Sequence, residues 1–350
     1  MEKKNDKILL NEFIKADDDI QEVSKKDENG DEEKEILYKG KPFFPKIIEK
    51  TESIKYNKKL KSSNIIKIYK ISEINYNKKF YNIIIMEKAL TNLTKLYDDL
   101  HNNKIFNLIN QPFFEIVGNN LMKYMTKDIV KGLETLDRNE LVHYNLKTEN
   151  LLITCGLKTK IADSSFLIDL IDYIKKDAKL KIPKETRGYI TPEYFNGIEN
   201  KEENRPEYNV ENIKKQDYFA LGASLFLFKM GSQKLYKKQK DKEISEDSLL
   251  DFLQRDISQI ESSHLFNDKF VDFICNLMKY TPKERPNLEE IFRNEWLNEN
   301  FNDIFPISYA YLNGDEDKFI KELVKSDFIL EKQKKNKEKQ KNIQRFIFDE

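Results

Sequence analysis

The stretch Leu141 to Asp163, LVHYNLKTENLLITCGLKTKIAD, sets His143, Asn145, Lys147, Glu149, Asn150 and Asp163 between short apolar runs. Ionisable and amide side chains grouped in this way read as a catalytic loop followed by a metal-binding turn. Carboxylate and amide oxygens suit a hard cation, and a lysine suits an anionic group.

Such side chains need a frame. Leu121, Met125, Ile129, Leu133 and Leu136 recur at helical spacing and predict a buried-face helix leading straight into the loop. Upstream, NIIKIY (64–69) and FYNIIIM (80–86) read as strands. Residues 8–23 read as a strand, an acidic turn and a second alternating segment, and Asn29-Gly30 is a type I′ hairpin signal between extended segments. Residues 43–61, opened by Pro42 or Pro45 with Phe44, Ile47, Ile48 and Ile54 on one face, predict a helix.

At 350 residues the chain can hold one large two-lobed domain or two ordinary ones. It contains no run of about 18 apolar residues, so no membrane span is expected. Lys and Arg total 61 against 61 Asp and Glu, which leaves no overall positive field to draw the protein to nucleic acid. Cys155 and Cys275 are too few for a disulfide framework, and the start lacks a long apolar leader. An intracellular location, cytoplasmic or nuclear, is expected.

His143-Tyr144-Asn145-Leu146-Lys147-Thr148-Glu149-Asn150 resembles the H-R-D-L-K-x-x-N loop of eukaryotic protein kinases, and Asp163-Ser164-Ser165 stands where their D-F-G turn falls. Downstream, Thr186, Tyr189, Pro192 and Glu193 of ETRGYITPEYF match the element that closes a kinase activation segment. QDYFALG matches the buried D-x-W-x-L-G helix through Asp217 and Gly222, and Arg285 of TPKERPNLEEIF is the family's partner for Glu193. The resemblance covers roughly residues 8–300. It implies an α+β, bilobal kinase-like fold with a small β-rich N-lobe over 8–90 and a larger α-helical C-lobe over 91–300. Residues 301–350 fall outside it and read as a charged extension, helical to disordered, with an apolar tip at Phe346-Ile347-Phe348.

The resemblance also implies roles. Asn150 and Asp163 would hold Mg2+ against the phosphates of ATP, Lys147 would steady the transferring phosphoryl group, and Asn145 occupies the catalytic-base position. Met86 would be the gatekeeper, Glu87 the hinge, and Leu152 a further nucleotide contact, while His143, Glu193, Asp217 and Arg285 would be structural. Two registers compete for the phosphate-pairing lysine of V-A-I-K. One uses EILYK with Lys39 and puts Leu37 over the adenine, with Glu52 as the ion-pair partner; the other uses FFPKIIEK and Lys46. The second puts Pro45 inside a strand and leaves little room for the next helix, so Lys39 is favoured.

Several expected parts are missing. FIKADDDIQEV overlays the glycine-rich loop with Ala16, Asp18 and Gln21 in place of its glycines, and carboxylates there would repel a triphosphate. Ser164 and Ser165 replace the Phe and Gly of the metal turn, with Phe166 the nearest substitute. Tyr144 replaces the Arg that in many kinases binds an activation-loop phosphate. Losing a general base typically removes about 10² to 10⁴ in rate. The expectation is therefore a pseudokinase that acts by binding a protein partner, such as an active kinase, as allosteric partner or scaffold, with at most weak binding of ATP and Mg2+. The alternative is an active, divergent Ser/Thr kinase that transfers the ATP γ-phosphate to protein hydroxyls.

Overall fold

Alternation of apolar residues along the first ninety positions builds a five-stranded antiparallel sheet: β1 (Ile20–Lys26), β2 (Glu32–Tyr38), β3 (Lys41–Glu49), β4 (Ile68–Tyr76) and β5 (Lys79–Glu87). The spatial order is β1-β2-β3-β5-β4. The structure, a computed structural model, describes residues 10, 13–14, 17–26, 32–49, 60–76, 79–96, 112–154, 158–163, 167–171, 188–199, 210–230 and 268–298. β5 is buried on both faces, which explains its unbroken Ile-rich run. Ile85 packs with Tyr38 and Phe43 on one side, and Ile84 and Met86 pack with Ile66 and Ala162 on the other.

The second part of the chain is mainly helical. A short strand β6 (Thr91–Asn92) precedes helix α1 (Pro112–Arg138), which starts ahead of the periodic stretch that predicts it, with proline at its first position. Then come β7 (Leu141–Val142), β8 (Leu151–Ile153), β9 (Thr159–Ile161) and β10 (Ile168–Asp169). β8 lies between β6 and β9, and β10 pairs with β7. Helices α2 (Pro192–Glu199), α3 (Val210–Met230), α4 (Asp268–Leu277), α5 (Leu288–Arg293) and α6 (Glu295–Asn298) follow.

Met125, Ile129, Leu133 and Leu136 of α1 are all buried, in one core with Phe219 and Phe226 of α3, Phe270 and Phe273 of α4 and Trp296 of α6. Gly222 lets α3 and α4 approach closely, since a Cβ there would lie 2.7 Å from Met278 Cγ and 2.9 Å from Leu277 Cβ. A sheet-rich N-terminal part and a helical C-terminal part make the fold bilobal and mixed α and β.

Two local expectations are corrected. Residues 43–49 continue β3 and are not helical. Phe43 is buried and Phe44 exposed, the period of a strand, and β5 supplies the partner from Phe43↔Glu87 to Glu49↔Tyr81. Pro45 is tolerated because β3 pairs with β2 only as far as Pro42, which leaves that side open. The rest of the expected helix, with Glu52, lies outside the described residues.

The second correction concerns the expected glycine-loop position. β1 and β2 pair from Ile20↔Tyr38 to Lys26↔Glu32, so they are joined through residues 27–31, which contain Asn29-Gly30. Asp17–Asp19 therefore precede the first strand of the sheet. Their carboxylates meet lysines: Asp17 lies 2.7 Å from Lys70 Nζ and Asp19 3.4 Å from Lys39 Nζ. Ala16, residues 27–31 and the extension 301–350 lie outside the described residues.

Candidate functional site

The loop between β7 and β8 is held from below by Asp217 of α3. Its two carboxylate oxygens accept separately from the backbone N–H of His143 at 2.6 Å and of Tyr144 at 2.9 Å. Both bonds are needed because Tyr144 has φ 61, a left-handed conformation that bulky residues avoid. Its ring is buried with Val142, Leu170, Ile190, Tyr194 and Ile213 and meets Tyr194 edge-on at 5.7 Å. Where an arginine would wait for an activation-loop phosphate, this chain has apolar packing.

Burial pushes the Asp217 carboxyl up to about 7 against the pull of its two backbone bonds. His143 donates from Nε2 to Ala162 O at 2.8 Å. Burial pushes its imidazole down to about 4, although Asp163 and the Ala162 bond favour the charged form. It is a neutral brace between the loop and the metal-turn strand.

Ala162 N–H donates to Asn150 O at 2.9 Å, which sets Asp163 beside the loop, again in a left-handed conformation at φ 67. Asp163 Oδ1 lies 2.6 Å from Lys46 Nζ. Its Oδ2 accepts from Asn145 Nδ2 at 3.3 Å. Asn150 Nδ2 donates to Asn145 O at 2.8 Å, so the amide oxygen is what Asn150 offers to a cation. Asp163 and Asn150 are thus the oxygen donors that Mg2+ prefers. No group of three or more His, Cys, Asp or Glu able to hold a metal occurs among the described residues, so a cation here would depend on phosphate oxygens as well.

The lysine beside Asp163 is Lys46, and the Lys39 register is corrected. Lys39 ends EILYK in the tight β2–β3 turn, at φ 49 beside Gly40 at φ 74, with its side chain 61% exposed and paired to Asp19. A residue at the turn cannot reach the cleft face in mid-strand. Leu37 does share that face, opposite Pro42.

At the junction of the two parts, Met86 is buried with Ile66, Ile84 and Ala162, and Leu152 packs half-buried against the same group. Glu87 ends β5, and both its oxygens lie 2.7 Å from Lys160 Nζ on β9, an ion pair that ties the sheet to the helical part. Lys147 is half-buried, and its carbonyl accepts from Asn150 N–H. Glu193 of α2 takes a two-pronged bond from Arg285, at 2.8 Å and 2.7 Å. Arg285 also donates to Lys279 O and Tyr280 O and lies over the Phe219 ring. Thr186 and Ser164 to Phe166 are outside the described residues.

Other contacts carry no local sequence signal. Thr148 Oγ1 lies 2.8 Å from Tyr189 Oη and accepts from Thr94 Oγ1 at 2.8 Å, stitching the loop to the residues before α2. Burial pushes the Tyr189 phenol up to about 12, which keeps it a hydroxyl. Gln216, next to Asp217, accepts from the Thr191 N–H and hydroxyl and donates to Tyr189 O.

A strand lysine held on an aspartate, beneath a sheet and beside an asparagine-bearing loop, is the arrangement of proteins built to handle phosphoryl groups. A protein kinase domain model matches residues 31–297, and the chain belongs to that family. The match begins at the start of β2. The chain is 28% identical over 177 residues to the probable serine/threonine-protein kinase ireA of Dictyostelium discoideum, covering 50% of this chain and 16% of that protein. It is 23% identical over 243 residues to an Aurora kinase of Eremothecium gossypii, covering 66% and 60% of the two chains. With an Aurora kinase of Saccharomyces cerevisiae it shares 24% identity over 273 residues, covering 73% and 62%. The matched regions span less than two thirds of each relative. No helix among the described residues is long and apolar enough to cross a membrane.

Proposed function

We propose that this kinase-family chain is a pseudokinase that acts by binding a protein partner, as an allosteric partner or scaffold, and not by transferring phosphate. One observation carries the reading. The side chain in the catalytic-base position, Asn145, donates a hydrogen bond to the Asp163 carboxylate. Turning the amide over would set its carbonyl oxygen against that carboxylate, so the donor orientation is dictated by charge. The group that should accept a substrate proton is used to brace the metal-turn aspartate. Lys147, Asn150, Asp163 and Lys46 are the residues through which weak ATP or Mg2+ binding would run.

The partner is a protein, an active kinase being one candidate, and the expected location is inside the cell. The test is transfer of labelled γ-phosphate from ATP with Mg2+, to the chain itself and to a generic protein substrate, with Asp163→Ala as background. No transfer above background is expected. Transfer that disappears in Asp163→Ala would overturn the reading in favour of a divergent Ser/Thr kinase, the class to which the relatives' names point.

A further inference from the structure

The cleft face of β3 carries an aromatic side chain that neither the ion pair nor the loop uses. Alternate residues of a strand share a face, and so do residues directly opposed on paired strands. Lys46 faces the cleft, since its ammonium lies 2.6 Å from Asp163. Phe44, two residues before it and opposite Met86, faces the cleft too. Ile48, on the same face, packs with the group containing Met86, Ala162 and Leu152. Phe43 is buried on the other face with Tyr38 and Ile85.

Phe44 is 56% exposed, on the stretch of β3 that pairs with β5 and not with β2. More than half of its surface is uncovered, on the face of β3 that looks into the cleft. With the register on Lys46, V-A-I-K reads Phe43-Phe44-Pro45-Lys46, so a benzyl group replaces a methyl. The position lies about 7 Å along the strand from Lys46, toward Met86 and Glu87, where a nucleotide with phosphates on Lys46 would lay its base. Stacked carbon layers need about 3.5–4.0 Å each. Leu152 packs with Met86, which Phe44 opposes, so a benzyl group in place of a methyl takes up room that a planar base laid against Leu152 would need.

We propose that Phe44 fills the base slot, so that this chain excludes purine nucleotides while keeping Lys46, Asn150 and Asp163. The inference rests on the reading of the chain as a binding protein and gives it a physical basis: the place of the base is taken by a side chain of the chain's own.

The test uses the full chain and a fluorescent ATP analogue with Mg2+, followed by anisotropy. Phe44→Ala should bind at least tenfold more tightly than the wild type, and Phe44→Ala with Lys46→Met should return to the wild-type level. Because the ring is largely exposed, the ligand-free melting temperature of Phe44→Ala should match that of the wild type; if that variant does not fold, Phe44→Val serves in its place and should also gain binding. Wild-type binding that weakens in Phe44→Ala would make the ring a stacking platform and overturn the proposal, and so would equal binding in the two chains. Wild-type binding as tight as that of Phe44→Ala, without phosphate transfer, would overturn the exclusion alone, and transfer by the wild type would overturn the binding-protein reading as well.

Discussion

Replacing Asp217 by Asn tests whether a buried carboxylate holds the loop as described. Unfolded, Asp217 ionises near its ordinary value of 3.8; folded, it keeps its proton until about pH 7. Between those values the folded state holds a proton that the unfolded state has released. The contribution is therefore fully present below about pH 4 and is lost as pH rises through about 7. At about 1.4 kcal/mol per pH unit, the loss is about 4 kcal/mol. His143 acts the other way, because its pKa falls from 6.5 to about 4 in the folded state. Its contribution is present above pH 6.5 and is lost as pH falls through about 4, worth about 3 kcal/mol. In the wild type the two nearly compensate. Asp217→Asn removes one and keeps the other, so the difference in stability, wild type minus variant, should fall by about 4 kcal/mol from pH 4 to pH 7.5. Urea unfolding at pH steps across that range measures it. A difference that stays constant, or grows with pH, would refute the reasoning.

Two further changes probe the helical part. Glu193→Gln leaves the guanidinium of Arg285, only 1% exposed, without its carboxylate. Breaking a buried pair costs about 3–5 kcal/mol, and the two carbonyls and the Phe219 face that remain place this loss near about 3 kcal/mol by urea denaturation; a loss below about 1 kcal/mol would mean the pair is not a structural tie. Gly222→Ala should lower stability by about 1 kcal/mol, since overpacking against Met278 and Leu277 costs about 1–3 kcal/mol while the helix gains about 1 kcal/mol from alanine. A higher melting temperature would show that α3 and α4 are not in close contact.

Much of the helical part was legible because its signals are local. His143 to Asn150, Glu193, Asp217 and Arg285 stand in motifs whose order names a family. The periodic apolar residues of α1 announce a helix whichever way the chain folds around it. The sheet was less legible. Phe43 to Ile48 is a short apolar run with two prolines, and helix and strand periods cannot be separated over such a length. A hairpin signal at Asn29-Gly30 locates a turn without saying which pair of strands it joins. An offset of one strand is enough to put Lys39 in the place of Lys46 and the acidic turn in the cleft.

By itself the sequence determined the mixed kinase-type fold and offered the loop of the candidate site, with an asparagine where the family's base would stand, because these rest on residue type and short spacing. Tertiary structure decided that Lys46 meets Asp163, that Asn145 donates to the same carboxylate, that Tyr144 packs into an apolar cluster and that Phe44 faces the cleft. These depend on strand register and on contacts between residues far apart in the chain. A strand's side chains alternate in facing, so only its pairing with β5 and the reach of Lys46 to Asp163 tell which face of β3 looks into the cleft.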